Sequence, residues 1–515
     1  MTKLSKLAKY MSPLAFAAVG CAPQQTHQQP NILLIVADDL GLGDVGAYGA
    51  TAIKTPNIDS LAHNGICFQN GYATSATSTP SRYAMFTGYY PWRNADAKIL
   101  PGDAPLLIPT DIPTMPKMLQ NVGYNTAAIG KWHLGMGDGN VDWNKQITPS
   151  ANTVGFDYTN LIAATNDRVP TVYVKNGLVE GLDPDDPIYV DYTQNYEGEP
   201  TAISNPEMLK MQWHHGHNNS IVNGIPRIGF MKGGEKAKWV DEQMADYFVA
   251  EVKQFIDSQS SEKPFFLYYG LHQPHVPRAP HSRFVGSTDL GPRGDAVVEA
   301  DWCVGEVISY LDDKGLLDNT LVIFTSDNGP VLNDGYNDGA DEHTIEEHDP
   351  RAGTRGGKYS QFDGGTHVPF IVYWKGHIAP IVSDALVCQL DLFASIGKLV
   401  GGEVPCNIDS EEYLDAFLGK SEVAREDLIH EAQGKLSYRS GKYSLLAPYK
   451  GPKANITQNE LGNLKEWSLF DLSADKAEQR NIASEHPEIV EKMKASFLAI
   501  VGEHYNSGIK EEPLK

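Results

Sequence analysis

Asn31–Ala37 is a seven-residue run in which Ile32, Leu33, Leu34, Ile35 and Val36 stand consecutively, and it ends on Asp38-Asp39. A short stretch that is apolar at every position, rather than at alternate ones, is the pattern of a strand buried on both faces. Comparable runs stand at 125–130, 265–270, 321–325 and 369–373, each beside a cluster of polar residues. Between them lie helical patterns: 239–256 places Val240, Met244, Phe248, Val252 and Phe255 on one face, and 300–311 is similar. Strands alternating with helices predict an α/β fold with a large, mostly parallel mixed sheet flanked by helices. In such sheets binding sites form beyond the carboxyl ends of the strands, so the polar clusters are expected to converge.

At 515 residues the chain is long for one compact domain, and its 41% apolar content is ample for a large core. A smaller C-terminal α+β domain is expected over 421–515. Strand patterns at 436–446 and 467–472 suit a small antiparallel sheet there, and Pro487–Val501 suits a terminal helix. The main domain then occupies 30–420, with a Gly-, Pro- and Asn-rich stretch at 165–234 expected to form ordered loops over the site. Lys3, Lys6 and Lys9 precede an apolar run too short to span a bilayer, the pattern of an export signal over 1–21. Gly20-Cys21 resembles the end of a bacterial lipobox, making Cys21 a candidate for lipidation and 22–29 a polar tether. The expectation is an exported protein of a Gram-negative bacterium, periplasmic or held to the outer membrane by a lipid anchor, with ordinary signal cleavage as the alternative. A net charge of −23 excludes nucleic acid binding by bulk field, and a polyanionic substrate would need cations gathered at the site. The other cysteines, Cys67, Cys303, Cys388 and Cys406, lack C-x-x-C spacing and suggest neither a zinc cluster nor a disulfide framework.

Several clusters carry chemistry. Ser78-Thr79-Pro80-Ser81-Arg82 runs on to Thr87-Gly88. Taken alone it is a Ser- and Pro-rich entry into a helix; as chemistry it offers a hydroxyl with a guanidinium four residues on. Asp38-Asp39 and Asp327-Asn328 each follow an apolar strand. Three carboxylates and an amide oxygen suit calcium, although each pair alone is also an ordinary turn or cap signal. Lys131 and His133 lie in Gly130-Lys131-Trp132-His133-Leu134-Gly135, His275 in Pro274-His275-Val276-Pro277, and Lys358 in Arg355-Gly356-Gly357-Lys358. A histidine in such company suits proton transfer near neutrality.

In this order the motifs resemble those of the type I, formylglycine-dependent sulfatases of the alkaline phosphatase superfamily, over about residues 30 to 375 and more weakly to the end. The resemblance implies that Ser78 is oxidised to formylglycine, a protein-derived cofactor, by a serine-type maturation enzyme, because no cysteine occupies that place. A hydrated aldehyde carries two hydroxyls, one to attack sulfur and one to expel sulfate. One calcium ion is implied, held by Asp38, Asp39, Asp327 and Asn328 with the modified Ser78. Asp327 would accept the nucleophile's proton, and Arg82, Lys131 and Lys358 would neutralise sulfate charge. His133 would be the base for sulfate release, and His275 a sulfate contact that shares with Lys358 the protonation of the leaving oxygen. Asp363 and His367 stand where the family usually has Glu and Arg, and altered packing rather than lost activity is expected.

The loops at 165–170 and 216–220 resemble those of bacterial sulfatases acting on 6-O-sulfated galactose or N-acetylgalactosamine. Asp167 and Arg168 are candidate contacts to sugar hydroxyls, or else a pair that fixes its own loop, and His272 is a further candidate contact. The expected activity is desulfation of a sulfated oligosaccharide or polysaccharide. Marine algal polysaccharides such as ulvan, porphyran or carrageenan form the alternative substrate. A phosphate or phosphonate ester hydrolase, and a glycan-binding protein with unmodified Ser78, are the readings from other classes.

Overall fold

The computed structural model describes residues 29–343 and 346–506; the expected signal at 1–21, Cys21 and all of the tether but Gln29 lie outside the described residues. Ten strands form one sheet in the order Ile381–Cys388, Ile66–Tyr72, Phe370–Tyr373, Thr320–Ser326, Asn31–Ala37, Phe265–Gly270, Asn125–Lys131, Tyr158–Ile162, Tyr173–Lys175, Leu178–Val179. The five central strands, from Thr320–Ser326 to Tyr158–Ile162, are mutually parallel, and antiparallel neighbours flank them on both sides.

Asn31–Ala37 shows why the centre is parallel and doubly covered. Ile32, Leu34 and Val36 enter one hydrophobic cluster, and Leu33, Ile35 and Ala37 enter the other, so both faces of the strand are core. Burying its five aliphatic side chains contributes on the order of 10 kcal/mol before chain entropy is counted. The helices Met244–Asp257 and Gly291–Asp313 cover one face through Phe248, Val252, Val297 and Val304.

Two helix boundaries differ from expectation. In 239–256 the α-helix begins only at Met244, after a short turn at Asp241–Gln243, and Val240 is exposed. Asp241 is instead taken up by Arg227, whose guanidinium donates to both its oxygens at 2.9 and 2.6 Å. The helix seen at 300–311 starts nine residues earlier, at Gly291, because its first turns carry Arg293 and Asp295, whose charges mask the apolar period. The stretch 165–234 adds the two short edge strands of the sheet and two small strand pairs, Tyr189–Asp191 with Phe230–Lys232 and Ile221–Val222 with Ile225–Pro226.

The C-terminal unit is a four-stranded antiparallel sheet, Asp427–Ala432, Lys435–Ser440, Tyr443–Leu446 and Ser468–Asp471, covered by the helix Pro487–Val501. Its core is shared with the main unit: Val490, Met493 and Phe497 belong to the same cluster as Tyr72, Ala84 and Leu386. Asp363 and His367 also stand on this seam. The Asp363 carboxylate accepts from Tyr72 Oη and lies 2.8 Å from His367 Nδ1, and the His367 ring stacks on Tyr72. Among the described residues no helix is long and apolar enough to cross a membrane.

Candidate active site

Strand register gathers the polar clusters. Ala37 is opposite Ser326 in the parallel pair, so Asp38-Asp39 and Asp327-Asn328 leave the sheet side by side. On the other flank Val36 is opposite Gly270, and Gly270 is opposite Gly130, which releases Lys131, His133 and His275 at the same edge. Ser78 is the first residue of the fully buried helix Ser78–Thr87; Pro80 fixes its first turn and Gly88, at φ 72°, ends it. Arg82 lies one turn on, on the face that Ser78 shares.

These side chains form one buried network. Arg82 donates to Asp327 Oδ2 from Nε at 3.0 Å and from Nη2 at 2.7 Å, and also bonds Tyr268 Oη. Lys131 Nζ lies 2.6 Å from Asp38 Oδ2 and 3.4 Å from Asp327 Oδ2. Lys358 Nζ sits between Asp39 Oδ2 and Asp334 Oδ2, at 2.8 Å from each. Ser78 Oγ is 2.9 Å from His133 Nδ1, and His133 Nε2 is 3.0 Å from the Leu100 carbonyl. A carbonyl only accepts, so Nε2 carries the hydrogen and Nδ1 accepts the Ser78 hydroxyl proton. Asp39, His133 and Tyr359 have left-handed backbone, at φ 62°, 57° and 75°. For residues other than glycine this costs on the order of 1–3 kcal/mol each, and here it falls on His133, which contacts Ser78, and on two other residues of the same polar network.

Charge is tuned by burial against neighbours. Burial opposes ionisation of Asp327, yet Lys131 and Arg82 hold it below the usual carboxylate range. Burial raises Asp38 well above that range; Lys131 partly offsets this, while Asp327 and Asp39 add to it. Burial also lowers His133 well below the ordinary histidine value, reinforced by Lys131 and Arg168, and His275 is lowered by burial and Lys358. Burial works against the charge on Lys358, but Asp334 and Asp39 raise it well above the ordinary lysine value.

A cavity of about 390 Å³ opens on this network. It is lined by Ser78, His133, His275 and Lys358, together with Asp167, Arg168 and His217 from the 165–234 stretch. Asp167 lies 2.9 Å from Arg168 Nη1 and 2.8 Å from His217 Nε2, so the Asp-Arg pair does bond to itself and still borders the cavity. His272 is not brought there: it is buried, burial lowers its pKa to about 4 with Asp241 partly offsetting this, and it does not line the cavity. The residues unseen in the sequence are Asp334, Tyr359 and His215, and a C-terminal set, Gln433, Asn455, Ile456 and Thr457. Asp334, seven residues after Asp327, was the one with a readable signal, as a carboxylate in the same strand-end loop.

The donor set fits a hard divalent cation. Asp38 Oδ1 and Asn328 Oδ1 are buried without a hydrogen-bond donor, and Asp38, Asp39 and His275 each offer an atom within 4.8 Å of the others. Arg82, Lys131, Lys358 and Arg168 stand against Asp38, Asp39, Asp327, Asp334 and Asp167. Five carboxylates thus outnumber four cations, and a sulfate dianion or monoester needs further positive charge. Oxygen-rich ligand sets of this kind suit calcium.

The chain matches the Sulfatase family over residues 30–402. It is 48% identical over 504 residues to the N-acetylgalactosamine-6-O-sulfatase of Bacteroides thetaiotaomicron, covering 96% of this chain and 98% of that one. A solved structure concerned with metabolism of multiple glycosaminoglycans by Bacteroides thetaiotaomicron superposes with a TM-score of 0.90 at 47% identity, over 92% of this chain and 99% of the other. A structure solved in complex with k-i-k-neocarrahexaose has a TM-score of 0.65 at 25% identity, over 94% and 95%. With the Ser78 helix, strand-end carboxylates and lysines arranged as above, the chain belongs to the sulfatase family and is a sulfuric ester hydrolase.

Proposed function

We propose that this enzyme desulfates carbohydrates, with 6-O-sulfated N-acetylgalactosamine or galactose units as its substrates. The observation that carries the reading is the composition of the cavity over this network, which joins Ser78 and Lys358 to the polar set Asp167, Arg168 and His217. A buried carboxylate beside a guanidinium presents an acceptor and donors to adjacent sugar hydroxyls. The likeness to a relative named for N-acetylgalactosamine-6-O-sulfate supports the choice of sugar.

Matured to formylglycine and hydrated, position 78 supplies a nucleophile whose second hydroxyl can release sulfate. Calcium held by Asp38, Asp39, Asp327 and Asn328 would supply positive charge opposite the sulfate oxygens. The remaining work falls to the chain's own groups. Ser78 at a helix N-terminus places the incoming anion at the positive end of the backbone dipole. Arg82 and Lys131, fixed by Asp327, and Lys358, fixed by Asp39 and Asp334, orient the sulfate. His133 takes the proton from position 78, because its Nδ1 already accepts from Ser78 while Asp327 Oδ2 is committed to Arg82 and Lys131. Lys358, kept charged by Asp334 and Asp39, donates to the leaving oxygen and stabilises its charge, with neutral His275 beside it. Export, a lipid anchor at Cys21 and dependence on a serine-type maturation enzyme are part of the same reading, supported by the leader and by Ser at position 78.

The test is sulfate release by matured enzyme from defined 6-, 4- and 2-sulfated monosaccharides, with N-acetylgalactosamine 6-sulfate expected to be preferred. His217→Ala should lower kcat/KM for that sugar by about 10²-fold, as loss of a buried polar contact does. A retained preference for another position or sugar would overturn the assignment. A carrageenan-type substrate is favoured only by the neocarrahexaose-bound structure, at 25% identity. The pH profile gives an independent check. His133 must be unprotonated to act as base, and burial with Lys131 and Arg168 lowers it well below the ordinary 6.5. Activity should therefore persist as pH falls through 6.5 and be lost only at more acid pH; an acid limb centred near 6.5 would contradict His133 as that base.

A further inference from the structure

A second cavity, of about 430 Å³, adjoins the first. The two share Ile99 and Gln433, and Thr77 lines the second where its chain neighbour Ser78 lines the first. Each is within the range of about 300–1,000 Å³ usual for ligand clefts, so a chain leaving the first over Ile99 and Gln433 enters a space fit for its next unit.

The lining has a definite character. Lys98 is exposed there and, among the described residues, has no carboxylate at ion-pair distance, in a protein whose net charge is −23. Glu431, the cavity's carboxylate, is bonded to Ser75 Oγ and to the Gly434 amide and so is spent on its own loop. Trp92 is held by the stacked Tyr90 ring at 5.3 Å and by the Arg93 guanidinium at 4.5 Å, giving the cavity a stiff wall. Arg93 itself is neutralised by Asp409. Among the described residues the lining then offers the Lys98 ammonium, the His504 ring, the Gln433 amide and the Asn94 amide, whose oxygen accepts the Asp96 N–H, a set complementary to a polyhydroxylated ring with a negative substituent.

We propose that this cavity is a second subsite, which receives the neighbouring sugar of the substrate chain when that sugar carries a carboxylate or a sulfate. The proposal rests on the carbohydrate reading above and extends it: the enzyme acts on charged oligosaccharides in preference to isolated sulfated sugars. Lys98 is the group that recognises the charge.

The matured full chain is assayed on N-acetylgalactosamine 6-sulfate alone and joined to a neutral, a uronate or a sulfated neighbour. At least one charged disaccharide is expected to exceed the monosaccharide in kcat/KM by tenfold or more, and the two charged arms say which group is read. Lys98→Ala should reduce that ratio by about tenfold, the size of one charge-assisted contact. Ala95→Trp, at an exposed position on the cavity, should abolish the advantage by filling the space. Equal rates on neutral and charged neighbours, or ratios that neither variant moves, would overturn the subsite. No sulfate release from any of the four sugars would overturn the carbohydrate reading itself, and the subsite with it.

Discussion

Ser78→Ala is expected to abolish sulfate release while leaving the protein folded. Ser78 is 3% exposed and, among the described residues, its hydroxyl bonds only to His133, so the change removes one hydrogen bond worth about 1 kcal/mol. Alanine is also the best helix former, and the position opens a helix whose other residues keep their packing. Stability should thus move by about 1 kcal/mol or less. Activity should fall on the order of 10⁶-fold, because loss of a covalent nucleophile removes most of what the surrounding groups act through. Thermal unfolding, sulfate release and the mass of the peptide holding position 78 check the three parts. The wild-type peptide should be lighter than its sequence by two hydrogens. Full turnover by the alanine variant, or a wild-type peptide of unmodified mass in active enzyme, would sink the account.

Asp327→Asn should be costly on both counts. Asp327 is buried and holds Arg82 through two donors and Lys131 through a third, so removing its charge leaves two buried cations short of compensation. Breaking a buried ion pair by taking one partner costs about 3–5 kcal/mol. The same change loosens both sulfate-orienting groups, and kcat/KM should drop by more than about 10³-fold, in line with loss of preorganised charge stabilisation. Calcium retention, measured by metal analysis of the purified variant, should fall as well. Arg82→Lys, which keeps charge but not the planar donors, should be milder in stability and still severe in activity. An Asp327→Asn protein that melts like wild type and retains its metal and activity would show that the carboxylate neither anchors the cations nor holds the ion.

The central sheet was legible, and with it the strand ends at which the polar clusters stand. Asp38-Asp39, Lys131, His133 and His275 could be read because each follows a strand whose apolar run is unbroken, and strand ends are where a parallel sheet exposes polar groups. Ile66–Tyr72 was not readable as a strand because Gln69, Asn70 and Gly71 interrupt its apolar run. Ile381–Cys388 carries Ser383 and Asp384 at a register shift against that same neighbour. Tyr359 comes from a loop without periodicity, and the contribution of Gln433 and 455–457 depends on how the C-terminal sheet seats on the main one, which no local pattern encodes. His272 shows the opposite failure. It is three residues from His275 across a turn that the His275 amide closes on the His272 carbonyl, and it does not line the cavity.

The pairing of Asn31–Ala37 with Thr320–Ser326 has a kinetic side. Its two strands are nearly three hundred residues apart, as the bond from the Asp39 amide to Asp327 shows with a separation of 288. Contacts this distant form late, since the entropy of closing the intervening loop must be met before they return anything. A chain released or cut before Thr320 has the Ser78 helix, Lys131 and both histidines, yet lacks half of the proposed cation site and the anchor for Arg82. On the proposed calcium site, ion uptake is expected to report completion of the sheet, and a calcium-dependent rise in protease resistance during refolding should mark its last long-range step rather than its first.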